Sequence, residues 1–147
     1  MDAMNLTENF TLEELYVSST AVRQGIDNTP DPVIVENLRV LAWGLEEVRA
    51  LLGEPMHIDS GYRCPELNLA IKGAKNSAHV RGYAADFICP GFGNPLEIVR
   101  AISKSAIAFD QCIREGTWVH ISFDPRARKE LLTAHFGADG TTYTVGA

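Results

Sequence analysis

Between Val33 and Leu52 the apolar residues Ile34, Leu38, Leu41, Leu45, Val48 and Leu52 recur at alternating steps of four and three. That spacing gathers them on one side of a helix, with Glu36, Arg39, Glu46, Glu47 and Arg49 falling mostly elsewhere. Asp31-Pro32 suits the N-cap and first turn of this helix, and Gly53 supplies its stop. Upstream, Thr11-Leu12-Glu13-Glu14 reads as a capping box, so the first 30 residues are predicted to be helix and turn. Asn94-Pro95-Leu96-Glu97 opens another helix, predicted to reach Ser105. The other apolar runs are too short for helices. Met56–Ser60 reads as a strand ending at Gly61, and Phe109–Glu115 and Trp118–Phe123 as two strands joined by a tight turn at Gly116. Lys129–Phe136 and Thr141–Val145 form a final hairpin around Asp139-Gly140. Mixed helices and strands without a regular alternation predict one α+β domain over residues 1–147.

Composition narrows the function classes. A chain of 147 residues, 46% hydrophobic, can bury a proper core. No run approaches the roughly 20 apolar residues of a membrane span, so membrane insertion is not expected. The N-terminal Met1-Asp2-Ala3-Met4 lacks a basic stretch followed by an apolar one, so synthesis in the cytoplasm without a signal peptide is expected. The formal charge of −6, without any Lys/Arg cluster, argues against nucleic acid as a partner. Cys64, Cys89 and Cys112 are odd in number and contain no CxxC pair, which favours reduced thiols. A Cys64–Cys89 bridge stays open at this level.

The chemistry concentrates in Ser77–Phe87. His79 and Asp86 are seven residues apart. In a continuous helix they would stand about 10.5 Å apart along the axis. That is too far for one ion bound at about 2.0–2.2 Å by each, so the chain must fold back between them, and Arg81-Gly82 is the natural place. Asp86 follows two alanines and precedes Phe87-Ile88, at the edge of an apolar strand, where a carboxylate needs a partner or a metal. In the strand Trp118–Phe123, alternation turns Val119, Ile121 and Phe123 to the core and leaves Trp118, His120 and Ser122 on the other face. A His, Asp, His set with an open fourth position is the arrangement of catalytic zinc. His57 and His135 are expected to be structural or solvated.

Taken in order, Ser60-Gly61-Tyr62-Arg63-Cys64-Pro65-Glu66-Leu67-Asn68, Ser77-Ala78-His79, Gly82, Ala85-Asp86 and Trp118-Val119-His120 resemble the zinc D-Ala-D-Ala carboxypeptidase family. These are the LAS-type metallopeptidases, peptidase family M-fifteen, related to the zinc fold of hedgehog signalling domains. The likeness runs from about Phe10 to Phe123. It implies a small antiparallel sheet with helices on one side and a zinc cleft on the other, with Zn2+ held by His79, Asp86 and His120 and water as fourth ligand. Many members place the general base three residues before the last histidine, which here is Thr117 and cannot serve. Glu115 is expected to take that role, since hedgehog-type members carry their acid a little farther upstream; Asp110 is the second candidate. The resemblance implies that Arg63 clamps an oxyanion or a substrate carboxylate. Ser77 is a candidate substrate contact, and Trp118 is expected to wall the cleft.

The function implied is hydrolysis of a peptidoglycan stem-peptide bond, of the D-Ala-D-Ala carboxypeptidase or L-Ala-D-Glu endopeptidase type, by a monomer. A phage or prophage endolysin acting on the cell wall fits a product without a signal peptide. The alternative is a non-catalytic zinc-stabilised binding module of hedgehog type.

Overall fold

The computed structural model describes residues 4–147. Its elements run in chain order as a 3-10 turn at Glu13–Leu15, α1 (Ser19–Gln24), α2 (Pro32–Leu52), β1 (His57–Ser60), α3 (Pro65–Ala70), β2 (Ala84–Ile88), α4 (Pro95–Ser103), β3 (Gln111–Glu115), β4 (Trp118–Ser122), β5 (Glu130–Gly137) and β6 (Gly140–Val145). The protein is α+β, with one six-stranded sheet in the order β1-β2-β4-β3-β5-β6. Among the described residues, no helix is long and apolar enough to cross a membrane.

The capping signals produce the expected helix ends. Asp31 Oδ1 accepts from the Ile34 amide at 2.9 Å, Pro32 sits at the first turn, and Gly53 closes α2 with φ +69°. Leu38, Leu41, Leu45 and Val48 of α2 are fully buried. Each such side chain stabilises the fold by roughly 1.5–3 kcal/mol through burial. At α4, Asn94 and Glu97 form the reciprocal box, each side chain bonded to the other's amide. Thr11 and Glu14 make the same reciprocal pair. There it precedes only one 3-10 turn, because Val17 and the Ser18 cap follow at once.

Strand alternation sorts the sheet into two faces. Ala85, Phe87, Val119, Ile121 and Cys112 are completely buried and pack in one cluster with α2 and α4. Asp86, His120 and Ile113 are successive cross-strand partners on the opposite face. Helices therefore do cover one side, as expected.

Two expectations need correction. The sheet is mixed rather than antiparallel: β5 runs parallel to β3, pairing Gln111 with Glu130 and Ile113 with Leu132. The chain leaves β4 beside the start of β3, and a short loop carries it round to the free edge of β3 at that same end. The loop is fastened there by Lys129 N–H to Phe109 O at 3.0 Å and Glu130 N–H to Asp110 O at 2.9 Å. Asp86 sits in the middle of β2, not at the edge of a strand. The helix α3, capped by Cys64 Sγ accepting from the Leu67 amide at 3.4 Å, has no counterpart in the sequence reading. All three cysteines are free thiols.

Candidate metal centre

Pairing brings two of the three ligand candidates together directly. Asp86 on β2 and His120 on β4 are register partners, so their side chains rise side by side from the same face. His79 comes from a loop. The turns after it, with Gly82 at φ +79°, reverse the chain as the separation from Asp86 requires. The His79 carbonyl accepts from the Arg63 amide at 3.1 Å, and its Nδ1 lies 2.7 Å from the Gly61 carbonyl oxygen. His79 is thus clamped from both sides by the segment that follows β1.

The three ligand atoms lie within 4.8 Å of one another. His79 Nε2 is 3.1 Å and His120 Nδ1 3.0 Å from Asp86 Oδ1. The two rings stand edge to face, 5.0 Å between centroids. All three residues are buried.

The hydrogen-bond pattern tests whether a cation fits. The Gly61 carbonyl can only accept, so Nδ1 of His79 carries the proton, and a neutral ring then presents the lone pair of Nε2 to Asp86. Burial pushes the pKa of His79 down, against the pull of Asp86, and so favours that neutral ring. Burial alone would raise the Asp86 pKa, but the two histidines beside it, His79 and His120, hold it far below the usual carboxylate range. A lone pair and an ionised oxygen facing each other at 3.1 Å repel unless a cation lies between them. The set has the donor chemistry of zinc, two imidazole nitrogens and one carboxylate oxygen, and the Gly61 carbonyl fixes the tautomer as second-sphere partners of metal-bound histidines do.

A cleft of about 390 Å³ opens over this group. Arg63, Ser77, Glu115 and Tyr143 line it together with the three ligand candidates. Glu115 pairs across the hairpin with Trp118, which places it diagonal to His120 on the cleft face. Burial raises its pKa above the ordinary glutamate value, and Asp86 adds to this against the opposing pull of His120 and Arg63. Arg63 sits 3.8 Å from Asp86 Oδ2 through Nη2 and donates from Nη1 to Asn68 Oδ1 at 3.1 Å. Its Nε is buried without a hydrogen-bond partner. Ser77 accepts from the His79 amide at 3.2 Å and so also holds the loop.

The remaining candidates lie elsewhere. Asp110 has the opposite parity to Glu115 and lies outside the cleft lining. It is bound to Arg128 at 2.8 and 2.9 Å, with Arg126 at 3.6 Å. Arg128, with burial opposing, holds its carboxyl below the usual range. Trp118 is also outside the lining; it packs on Phe136, 6.2 Å between ring centroids. Its Nε1 makes no hydrogen bond of ordinary geometry, yet lies near enough to Glu115 to favour the ionised carboxylate. His57 is exposed and 3.5 Å from Asp59, and His135 bonds Thr144 at 2.8 Å, so neither joins the site. The sequence reading missed Leu132 and Tyr143, cleft residues from the C-terminal hairpin.

The arrangement can hold a divalent cation beside a partly desolvated carboxylate and a guanidinium with spare donors. Those are the parts needed for hydrolysis of an acyl bond. A family model described as Peptidase M15 matches residues 8–122, more than half of the chain. Comparison with curated proteins finds no match.

Proposed function

The chain belongs to the peptidase M15 family, and on that premise we propose that it is a zinc-dependent peptidase acting on peptidoglycan stem peptides. The observation that carries the zinc part is the approach of His79 Nε2 to the ionised Asp86 at 3.1 Å, which a cation would relieve. The wall substrate rests on the likeness of Ser60–Asn68, Ser77–His79, Gly82, Asp86 and Trp118–His120 to the D-Ala-D-Ala carboxypeptidases.

His79, Asp86 and His120 would hold the zinc, which supplies Lewis-acid chemistry to acidify water and polarise a carbonyl. Glu115 takes the proton of the attacking water and returns it to the leaving amine nitrogen. Burial raises its pKa in the metal-free protein, and this desolvation favours uptake of a proton even where a bound cation would pull the other way. Arg63 donates to the oxygen that gains negative charge, or to a terminal carboxylate if the enzyme trims peptide ends. The setting we propose is lysis of the cell wall, as by a phage lysin.

The test is mass spectrometry of peptidoglycan digested with and without chelator, repeated with Glu115→Gln. We expect chelator-sensitive cleavage of one stem-peptide bond, and loss of at least 100-fold in rate in the variant with zinc still bound. Thr117 in the position where many relatives carry their acid favours a competing reading, a zinc-stabilised binding module. Zinc and wall-fragment binding without any cleavage by the wild type would establish that reading instead.

A further inference from the structure

The family match ends at residue 122, yet the cleft does not. Leu132 of β5 and Tyr143 of β6 line it alongside Glu115, and both come from the hairpin that follows. This is a consequence of register. Ile113, opposite His120, pairs on its other edge with Leu132. Two residues farther along, Glu115 has the parity of Ile113 and Ala134 that of Leu132, and Ala134 pairs with Tyr143. Glu115, Ala134 and Tyr143 therefore share the cleft face on three adjacent strands, spanning two strand spacings or about 10 Å. Ala134 is buried and bears only a methyl group, shorter than the Glu115 and Tyr143 side chains on either side of it.

The hairpin is held firmly enough to act as a wall. Phe136 packs on Trp118 and lies against Gly116, in the turn between β3 and β4. Thr133 Oγ1 donates to the Gly146 carbonyl at 2.6 Å, and the Gly146 amide donates to Leu131 O at 2.8 Å. On this framework Tyr143 is 52% exposed, on an outer strand whose other residues are also exposed. A half-exposed tyrosine at a cleft rim offers apolar surface and a donor at little entropic cost. Tyr143 has no hydrogen bond to another side chain among the described residues. Its phenol feels the field of Glu115 and Asp86 after the larger effect of partial burial, all of which keep it protonated and able to donate.

We propose that the β5–β6 hairpin completes the substrate cleft and that the Tyr143 hydroxyl donates a hydrogen bond to a carbonyl or carboxylate oxygen of the bound peptide, opposite Arg63. The cleft would then grip an extended peptide from two sides, with the guanidinium on the β2 side and the phenol on the β6 side. Leu132 between them supplies apolar surface. The inference rests on the peptidase reading for its ligand class, but not on which peptide is cut.

The test compares zinc-loaded wild type, Tyr143→Phe and Tyr143→Ala on purified stem-peptide fragments and on a mixed library of peptides containing L- and D-residues. Dissociation constants are measured separately in a Glu115→Gln background. Tyr143→Phe is expected to lower kcat/KM and weaken peptide binding by roughly tenfold, the effect of one hydrogen bond to a polar or charged oxygen. Melting temperature and zinc content should not change. Tyr143→Phe within twofold of wild type overturns the proposal, as does a loss seen only in Tyr143→Ala or one that tracks a fall in zinc content. If the wild type cuts library peptides but no stem peptide, the wall assignment fails and the Tyr143 ratio is read on the peptides that are cut. If it neither cuts nor binds any of them, both fail.

Discussion

Replacing Gly61 by alanine is the sharpest probe of how the fold holds its ligands. Gly61 contributes no side chain, but its carbonyl accepts from His79 Nδ1 at 2.7 Å. It lies where the chain passes Leu15, whose carbonyl accepts from the Tyr62 amide at 2.7 Å. A Cβ on Gly61 would meet the Leu15 carbonyl oxygen well inside contact distance and the Leu15 carbonyl carbon at 2.8 Å. Both are backbone atoms of a residue with no exposed surface, so rotamer changes cannot relieve the clash. The strand end must move, at a cost of about 1–3 kcal/mol typical of overpacking. For a chain of this size that lowers the melting temperature of the metal-free protein by roughly 3–10 °C. The displaced Gly61 carbonyl no longer orients His79, and losing such a partner weakens metal binding by about 10–100-fold. At fixed excess zinc, a tenfold weaker site also removes about 1.4 kcal/mol of metal-linked stability. The gap between melting curves with and without chelator should therefore narrow in Gly61→Ala, while zinc competition against a chromogenic chelator gives the affinity directly. A variant that melts with the wild type and binds zinc equally well would refute the clamp.

Asp110→Asn should keep full activity per folded molecule, because Asp110 is tied to Arg128 outside the cleft. The native pKa of Asp110 is held below the unfolded value of 3.8, so its stabilisation is complete above that pH and is lost as pH falls through the native value. Thermal melts of the wild type should weaken with acidification below about pH 4, and Asp110→Asn should flatten that dependence; an unchanged slope counts against the ion pair. Glu115, raised mainly by burial, should titrate above 4.5 in metal-free protein followed by carboxyl NMR. Loading zinc should lower that value, since a nearby cation favours the ionised form; a titration unmoved by zinc would place the carboxylate away from the metal.

Much of the site is legible in the sequence because it depends on local rules. Period-2 alternation in Trp118–Phe123 is enough to put His120 on the face opposite Val119 and Ile121, and the seven-residue separation of His79 and Asp86 demands the reversal found around Gly82. The helix α2 follows from its apolar spacing and caps. What escaped depends on long-range pairing. Thr141–Val145 reads as a strand, but nothing in it says that β5 will join the free edge of β3, which is settled by a loop fastened through Asp110, Arg128 and the Phe109 carbonyl. Tyr143 could not be placed in the cleft without that register. The helix α3 was hidden because its cap is a cysteine, a weak capping residue beside Ser, Thr, Asp or Asn.

The proposed place of the acid, at Glu115 rather than at Thr117, also has a geometric basis. Thr117 lies in the two-residue turn with Gly116, outside the ladder, and the turn's chemistry decides where a side chain there points. Glu115 is the last residue of β3, so pairing with Trp118 and the parity it shares with Ile113 fix its face. On β3 only Gln111, Ile113 and Glu115 share the cleft face, and Ile113 directly opposes His120. A carboxylate at Ile113 would crowd Asp86 across the intervening His120, adding a like charge within the row proposed to hold the cation. One pair farther along, Glu115 remains within reach of the cleft yet is offset from that row. Gln111 and Glu115 both lie one pair to either side of that row, and only Glu115 carries a carboxylate, so the proposed acid would stand beside the candidate ligands without joining them.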